Sequence, residues 1–375
     1  MACFRTWFSR AFLFGLLIAA SQSQLVAATF YPTAGGAAKM VVADMNHDGK
    51  PDVLTAGAGF LSVLLNKGDG TLLAHVDYPD DGYFLAVADF NNDGDLDAVT
   101  ESGATGGTVN VFLGKGDGTL QPPIAVRNNC GIDPAGITTG DFNGDGRVDL
   151  AIGNLGPRKL AILLGNGDGS FRLGSCTVEK VGEILAVDIN HDGKLDLVGV
   201  NSDGQIAPYG LLTLLGNGDG SFQEPLQFDK GTLLNSPLLA DVNGDGMLDV
   251  VTMGSPQLVP FAVLTFLGRG DGTFRKPSTI SSKDYVWAFA VGAFDGDSTP
   301  DLLIETNHNL SGSVTFFAGK GDGTFSKGGA FVVPSYAPTL IATDLDGDGK
   351  LDVVGTLPNS SQIFVFHGNG DGTFQ

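Results

Sequence analysis

The chain has 375 residues, with 42 acidic against 21 basic side chains and a formal charge of −21. Its Lys and Arg are few and scattered, which excludes a nucleic-acid partner, since phosphate binding needs clustered cations. Apolar residues make up 42 %, enough for a packed core. Beyond the N-terminal segment no apolar run is long enough to span a bilayer, so the chain is not expected to be membrane-spanning.

In chain order, the first feature is a targeting segment. Arg5 and Arg10 precede or flank a short apolar stretch over residues 11–20, and Val26, Ala27 and Ala28 suit a signal-peptidase site. A signal peptide over residues 1–28 is expected, with the mature chain (29–375) exported to the periplasm or secreted. Cys3 leaves with it. Cys130 and Cys176 remain, in successive repeats; export permits them to pair, but as outer parts of neighbouring units their separation could exceed the roughly 7 Å Cα limit for a bridge, so the pairing stays open with the unbridged reading favoured.

From residue 44 onward one nine-residue pattern, Asp-x-Asn-x-Asp-Gly-x-x-Asp, recurs. Its copies start at Asp44, Asp89, Asp141, Asp188, Asp241, a degraded Ala293, and Asp344. A Gly-Asp-Gly turn keeps step with it, centred on Asp69, Asp117, Asp168, Asp219, Asp271, Asp322 and Asp371. Together these turns hold 30 of the 42 acidic residues, so the charge is an inventory of turn formers and ligands rather than an acidic tail. A repeat of about 50 residues overrides the two-domain prior that the length would otherwise set.

Between the turns lie short runs of Val, Leu, Ile and Phe, which read as strands. In the first unit these fall at residues 40–43, 53–56 and 61–65, with a fourth at 71–76 after the Gly68-Asp69-Gly70 turn. Four antiparallel strands per unit make one propeller blade. Seven units predict an all-β, seven-bladed β-propeller with almost no helix. The chain stops after Phe374-Gln375, one strand short of a seventh blade. Residues 29–34 stand at the right spacing to supply that strand, closing the ring and covering its edge. A monomeric ring is expected.

The nine-residue loop offers a hard cation oxygen ligands. Calcium takes 6–8 oxygens at about 2.3–2.6 Å, with side chains supplied at positions 1, 3, 5 and 9, a carbonyl at position 7 and a sharp bend at the Gly. The intact sets are Asp44, Asn46, Asp48 and Asp52; Asp89, Asn91, Asp93 and Asp97; Asp141, Asn143, Asp145 and Asp149; Asp188, Asn190, Asp192 and Asp196; Asp241, Asn243, Asp245 and Asp249; and Asp344, Asp346, Asp348 and Asp352. The sixth copy keeps Asp295, Asp297 and Asp301 but has Ala293 and Ser298 in place of the first ligand and the Gly, so about six Ca2+ sites are expected and a seventh is doubtful. An EF-hand is rejected because position 12 lacks Glu. Zinc is disfavoured by the lack of Cys and His at the ligand positions (His47 and His191 occupy the non-ligand fourth position), and magnesium by the number of carboxylates. Extracellular modules bind calcium at about 10⁻⁴–10⁻³ M. At tenfold excess each site adds about 1.4 kcal/mol, which points to a structural ion rather than a signal.

The stretches "ADFNNDGDLDAVT", "GDFNGDGRVDLAIG" and "LLGNGDGSF" resemble the FG-GAP or VCBS-type repeats of integrin-alpha-like β-propellers across the mature chain. That resemblance implies blades around a central axis, calcium in the hairpin between the first two strands of a blade, and membership of a group rich in exported adhesion and recognition proteins. Some relatives accompany enzymes acting on polysaccharides.

Strand alternation puts the calcium loops and Gly-Asp-Gly turns on one face. The opposite face carries Tyr83, Phe84, Tyr209, Tyr285, Trp287 and Tyr336, aromatic residues suited to a protein or glycan ligand. No nucleophile–base pair or phosphate loop is found, so no catalytic residue is assigned. The leading expectation is an exported recognition, adhesion or scaffold module binding a protein or glycan on that face. The alternative is a polysaccharide-active, lyase-like enzyme with its site in the central cleft, which a convergence of Lys, Arg and His at the axis would favour.

Overall fold

A computed structural model describes residues 28–102, 107–128, 130, 134–154, 160–177, 181–201, 210–229, 231–255, 262–308, 311–333, 335–357 and 359–375. The segment read as a signal peptide and Tyr209 therefore lie outside the described residues, apart from Ala28. Every regular element described is a β-strand, and the strands form seven four-stranded antiparallel sheets. Blade one runs Lys39–Ala43, Asp52–Gly57, Phe60–Leu64 and Val76–Pro79, from axis to rim. Neighbouring inner strands touch all the way round, and those of blades one and seven meet. The ring is closed.

Closure uses the ends of the described chain. Blade seven has Leu340–Thr343, Asp352–Leu357 and Gln362–Phe366, and its rim strand is Thr29–Pro32. Phe30 stands opposite Phe364 in that antiparallel pair. The strand edge that blade seven would expose is thereby covered, which removes a template for edge-to-edge aggregation.

Period-two alternation explains how blades stack. Along Asp52–Gly57, Val53 faces one neighbour and packs with Val354, Ile363 and Val365 of blade seven. Leu54 and Ala56 face the other way and pack with Leu85, Ala98 and Phe112 of blade two. Such sheets, buried on both faces, need apolar residues at consecutive positions. The same division produces seven apolar clusters, one at each seam between blades.

Two expectations need correction. The fourth strand of blade one is not residues 71–76. Lys67 N–H donates to the Thr71 carbonyl and Leu73 N–H to the Leu65 carbonyl, so the Gly-Asp-Gly turn closes its own small hairpin. The rim strand begins only at Val76. The cysteines are also closer than expected. Cys130 and Cys176 form a disulfide with a Cα separation of 5.7 Å. Cys130 follows directly from the rim strand of blade two, Ile124–Arg127, and so stays at the rim. There it meets Cys176 in the rim strand of blade three, Phe171–Thr177. Both are outer residues as expected, but the connector that leaves the rim of blade two carries Cys130 against blade three.

The bridge closes a loop of 46 residues, for which the chain-entropy model gives about 4 kcal/mol. Unfolding of the Cys130→Ser, Cys176→Ser variant in denaturant, with calcium in excess, is expected to show a loss of about 2–4 kcal/mol. An unchanged midpoint would mean that the bridge constrains little.

Candidate metal centres and the opposite face

Each loop is built around its last carboxylate. Asp149 is fully buried. Its Oδ2 accepts the N–H of Phe142 at 3.0 Å and its Oδ1 the N–H of Gly165 at 2.8 Å. The same pair of bonds recurs in all seven copies, through Asp52, Asp97, Asp196, Asp249, Asp301 and Asp352. The position-9 Asp thus ties the start of the loop to the end of the third strand. Burial pushes its carboxyl up, to about 6 for Asp97, Asp149 and Asp249, with the backbone N–H donors pulling the other way. This clamp supplies a second reason for an Asp at that position, independent of metal.

Positions 1, 3 and 5 converge at the exposed tip. The N–H of Asp48 lies 3.1 Å from both Asp44 Oδ1 and Asn46 Oδ1, and Gly49 N–H donates to Asp44 Oδ2. Asp93, Asp145, Asp192, Asp245 and Asp348 repeat the arrangement with their own first and third residues. In the seventh loop, ligand atoms of Asp344, Asp346 and Asp348 lie within 4.8 Å of one another. Oxygens so spaced fit around one ion with calcium–oxygen distances of about 2.3–2.6 Å. The donor set therefore fits calcium, with positions 1, 3 and 5 as first contacts and the clamp carboxylate limited to its remaining lone pairs.

The bend at position 6 needs a left-handed backbone. The six loops with Gly there have φ between 78° and 92°, a region that L side chains rarely adopt. Ser298 of the sixth loop stays outside that region, and Ala293 offers no oxygen. Asp295 and Asp297 still cap the next backbone amides, and Asp301 keeps its clamp. The sixth loop is a hairpin without the full ligand set.

The Gly-Asp-Gly turns stand on the same face. In each, the Asp accepts the N–H and hydroxyl of a Thr or Ser two residues on, as Asp168 does from Ser170. This Thr or Ser is present in every copy and was legible as a Gly-Asp-Gly-Thr/Ser repeat. The turns also join blades: Gly169 N–H donates to the Phe90 carbonyl, Gly220 to Phe142 and Gly372 to Phe294. The second residue of each nine-residue loop (Met45, Phe90, Phe142, Ile189, Val242, Phe294, Leu345) is buried, an anchor that the Asp spacing conceals.

The opposite face is shaped by bulges. Three inner strands carry one extra residue near their first ends, in Pro134–Gly140, Leu233–Ala240 and Tyr285–Gly292. A bulge re-aims a side chain, and in the last of these the extra residue is Trp287. Trp287 is 42 % exposed and Tyr285 58 %. Their rings are 6.2 Å apart, and Tyr336 of the next connector lies 5.0 Å from Trp287. Of the predicted aromatics, these three come together. Tyr83 is exposed and Phe84 half-buried elsewhere on the mouth, where Lys39 Nζ lies 5.9 Å from the Phe84 ring. An axial cavity of about 300 Å³ opens beside the stack, lined by Lys39, Glu183, Pro237, Ala288, Phe289 and Pro338 among others. Lys39 and Glu183 pair across it at 3.6 Å.

Two buried carboxyls occupy one register on this side. Glu101 and Glu305 lie four residues after the clamps of blades two and six, and both are fully buried. Burial pushes each up to about 8. Asn128 donates to Glu101 Oε1 at 3.1 Å, whereas Glu305 has no side-chain donor among the described residues, and only the Ala337 backbone N–H nearby offsets a part of its burial.

Repeat, blade and loop now agree with one known group. The FG-GAP-like repeat profile matches residues 44–100, 102–152, 141–199 and 188–252, more than half of the chain. The chain belongs to the FG-GAP-like repeat family. Cartilage acidic protein 1 of Xenopus tropicalis is 27 % identical over 179 residues, which are 41 % of this chain and 26 % of that protein; the chain spans about a quarter of its relative. Among solved structures, an Agrocybe aegerita lectin that recognises non-reducing terminal N-acetylglucosamine has a TM-score of 0.54 at 20 % identity, over 84 % of this chain and 90 % of that one. A putative 6-phosphogluconolactonase from Bacteroides uniformis has a TM-score of 0.60 at 14 % identity, over 90 % and 94 %. Identities this low carry the fold of the FG-GAP-like chain and nothing of its activity.

Two outcomes follow for the loops and the buried acids. Asp149→Asn is expected to lose about 2–3 kcal/mol with or without calcium, because a buried N–H is left facing an amide NH₂. Asp141→Ala should lose one bound ion and show most of its cost only when calcium is present, as unfolding in calcium and in EGTA will read. For Glu101 and Glu305 the folded value (about 8) lies above the ordinary 4.5. Their stabilising effect is complete below about pH 4.5 and is lost as pH rises through 8. The Glu101→Gln, Glu305→Gln variant should match the native chain at pH 5 and exceed it in denaturation midpoint at pH 9.

Proposed function

We propose that this FG-GAP-like ring is a calcium-stapled, exported recognition module, and that its ligand binds on the face opposite the calcium loops. The observation that carries the reading is the Tyr285–Trp287–Tyr336 stack, part-exposed and held on a bulged inner strand beside the axial cavity. Ligand contacts on rigid scaffolds concentrate at such positions. Tilted aromatic faces next to a cleft suit the apolar face of a sugar ring, with the Lys39–Glu183 pair able to meet its hydroxyls. A glycan is therefore the favoured ligand, and a protein surface the other.

Calcium supports this face at a distance. Ions on positions 1, 3 and 5 of six loops would offset the carboxylates that converge there and hold the hairpins from which the blades hang. Export fits the Arg-flanked apolar segment at the N-terminus and the Cys130–Cys176 bridge, which persists in oxidising compartments.

The test has two arms. Thermal unfolding in calcium and in EGTA, with bound ions counted by mass, is expected to give about six calcium ions and a lower melting temperature without them; no bound calcium would remove the metal half of the reading. Trp287→Ala and Tyr336→Ala, screened on a glycan array and against extracellular protein fractions, should lose binding about tenfold or more with melting unchanged, since anchor aromatics contribute about 2 kcal/mol. Binding that survives both substitutions would place the ligand elsewhere.

A further inference from the structure

The seventh repeat breaks the pattern at the point where the ring closes. At the end of the third strand five copies carry a leucine (Leu65, Leu113, Leu164, Leu215, Leu267), the sixth carries Ala318, and the seventh carries His367. Each leucine lies against the second glycine of the next blade's Gly-Asp-Gly turn, as Leu65 does on Gly118. His367 takes that place on Gly70 of blade one. At the third loop position the first five copies have Asn, while the seventh has Asp346. The seventh copy alone combines a His and an Asp at these two positions, and they meet.

Their geometry is that of a ligand set. His367 Nδ1 lies 3.3 Å from Asp352 Oδ2 and 3.8 Å from Asp346 Oδ2, and the ligand atoms of all three residues fall within 4.8 Å of one another. Nδ1 is buried with no hydrogen-bond partner, although the imidazole sits between two carboxylates. A tetrahedral ion with ligand bonds of about 2.0–2.1 Å sets its ligands about 3.3–3.4 Å apart, which the Asp352 spacing of 3.3 Å meets and the part-exposed loop residue Asp346, at 3.8 Å, reaches with a small shift of its side chain. Asp352 is 1 % exposed and fixed by Leu345 and Gly368 N–H, so one ligand is rigidly placed. Calcium and magnesium take oxygen ligands, and an imidazole nitrogen selects the zinc class instead.

We propose that the seventh loop binds a zinc-class divalent ion through His367 Nδ1, Asp346 and Asp352, at the seam between blades seven and one. It is thus chemically distinct from the oxygen-only loops, and it draws two carboxylates from the calcium set of its own loop. Because His367 rests on Gly70, an ion held there fixes the last blade where it meets the first.

The test uses untagged, chelator-treated chain returned to millimolar calcium and titrated with cobalt(II), a coloured stand-in for zinc. One equivalent is expected to bind and give visible d–d absorption of tetrahedral strength, which zinc abolishes and further calcium does not. His367→Leu installs the residue of five other blades, so the ring should fold and keep calcium binding at the other five intact loops. Its cobalt affinity should fall more than about 100-fold, beyond the 10–100-fold typical of outer-shell partners. Asp346→Asn, the residue of the first five loops, provides a second variant with a loss in the same direction. Absence of the band, or equal cobalt uptake by native chain and both variants, overturns the proposal and leaves His367 as a polar neighbour of two carboxylates.

Discussion

Everything in this ring depends on one buried carboxylate per blade. The Asp at the ninth loop position sits inside the hairpin end and accepts two backbone N–H groups, one from the loop's second residue and one from beyond the third strand. Those donors belong to segments that the sheet ladder cannot satisfy, and a buried unpaired N–H is costly. By filling both, the clamp sets where the inner hairpin turns, where the third strand stops, and how the apolar second loop residue enters the seam. The base of the hairpin is thus tied by the protein's own groups, and a cation at the loop tip would add to it rather than make it. The sixth repeat shows the separation of roles: with Ala293 and Ser298 in place of the first Asp and the bend Gly, it still keeps the Asp301 clamp and the blade.

The two faces divide the labour accordingly. One is repetitive, with loops and turns whose side chains recur because each must cap backbone amides. The other is free of that obligation, and its inner strands bulge differently in blades three, five and six. Trp287 owes its exposure to such a bulge rather than to a loop. Glu101 and Glu305 belong to this less constrained side too: they replace the small or apolar residues of other blades, and Glu101 is tied through Asn128 to the connector that carries Cys130.

Much of this architecture could be read in advance, and the reasons are physical. Seven equally spaced Asp-rich loops flanked by period-two apolar runs leave few alternatives to seven blades, and the spacing left over at the two ends identified Thr29–Pro32 as the missing strand. What could not be read was anything set by where connectors travel. The rim strand of blade one began later than its apolar residues implied, because Thr71 and Leu73 were taken up by the turn's own hairpin. Cys130 and Cys176 looked distant as outer parts of successive units, because the path by which a connector leans on the next blade leaves no mark in the spacing. The loop oxygens were legible as a recurring set, but the clamp at position 9 was not, since a carboxylate that ties backbone and one that would meet a cation leave the same mark in a sequence. Of the six aromatics on the far face, Tyr285, Trp287 and Tyr336 formed a group only because a bulge and a connector brought them together.

The pairing of Phe30 with Phe364 has a consequence for the order of events as the chain is made. Phe30 precedes its partner Phe364 by 334 residues, so this strand has no ladder neighbour until blade seven has been made. Loop closure over so long a separation carries an entropy cost that grows only slowly with length, but the contact that repays it waits for the last blade. A chain interrupted before blade seven would therefore hold an open arc with apolar residues bare at both seams. Closure rests on this one pairing.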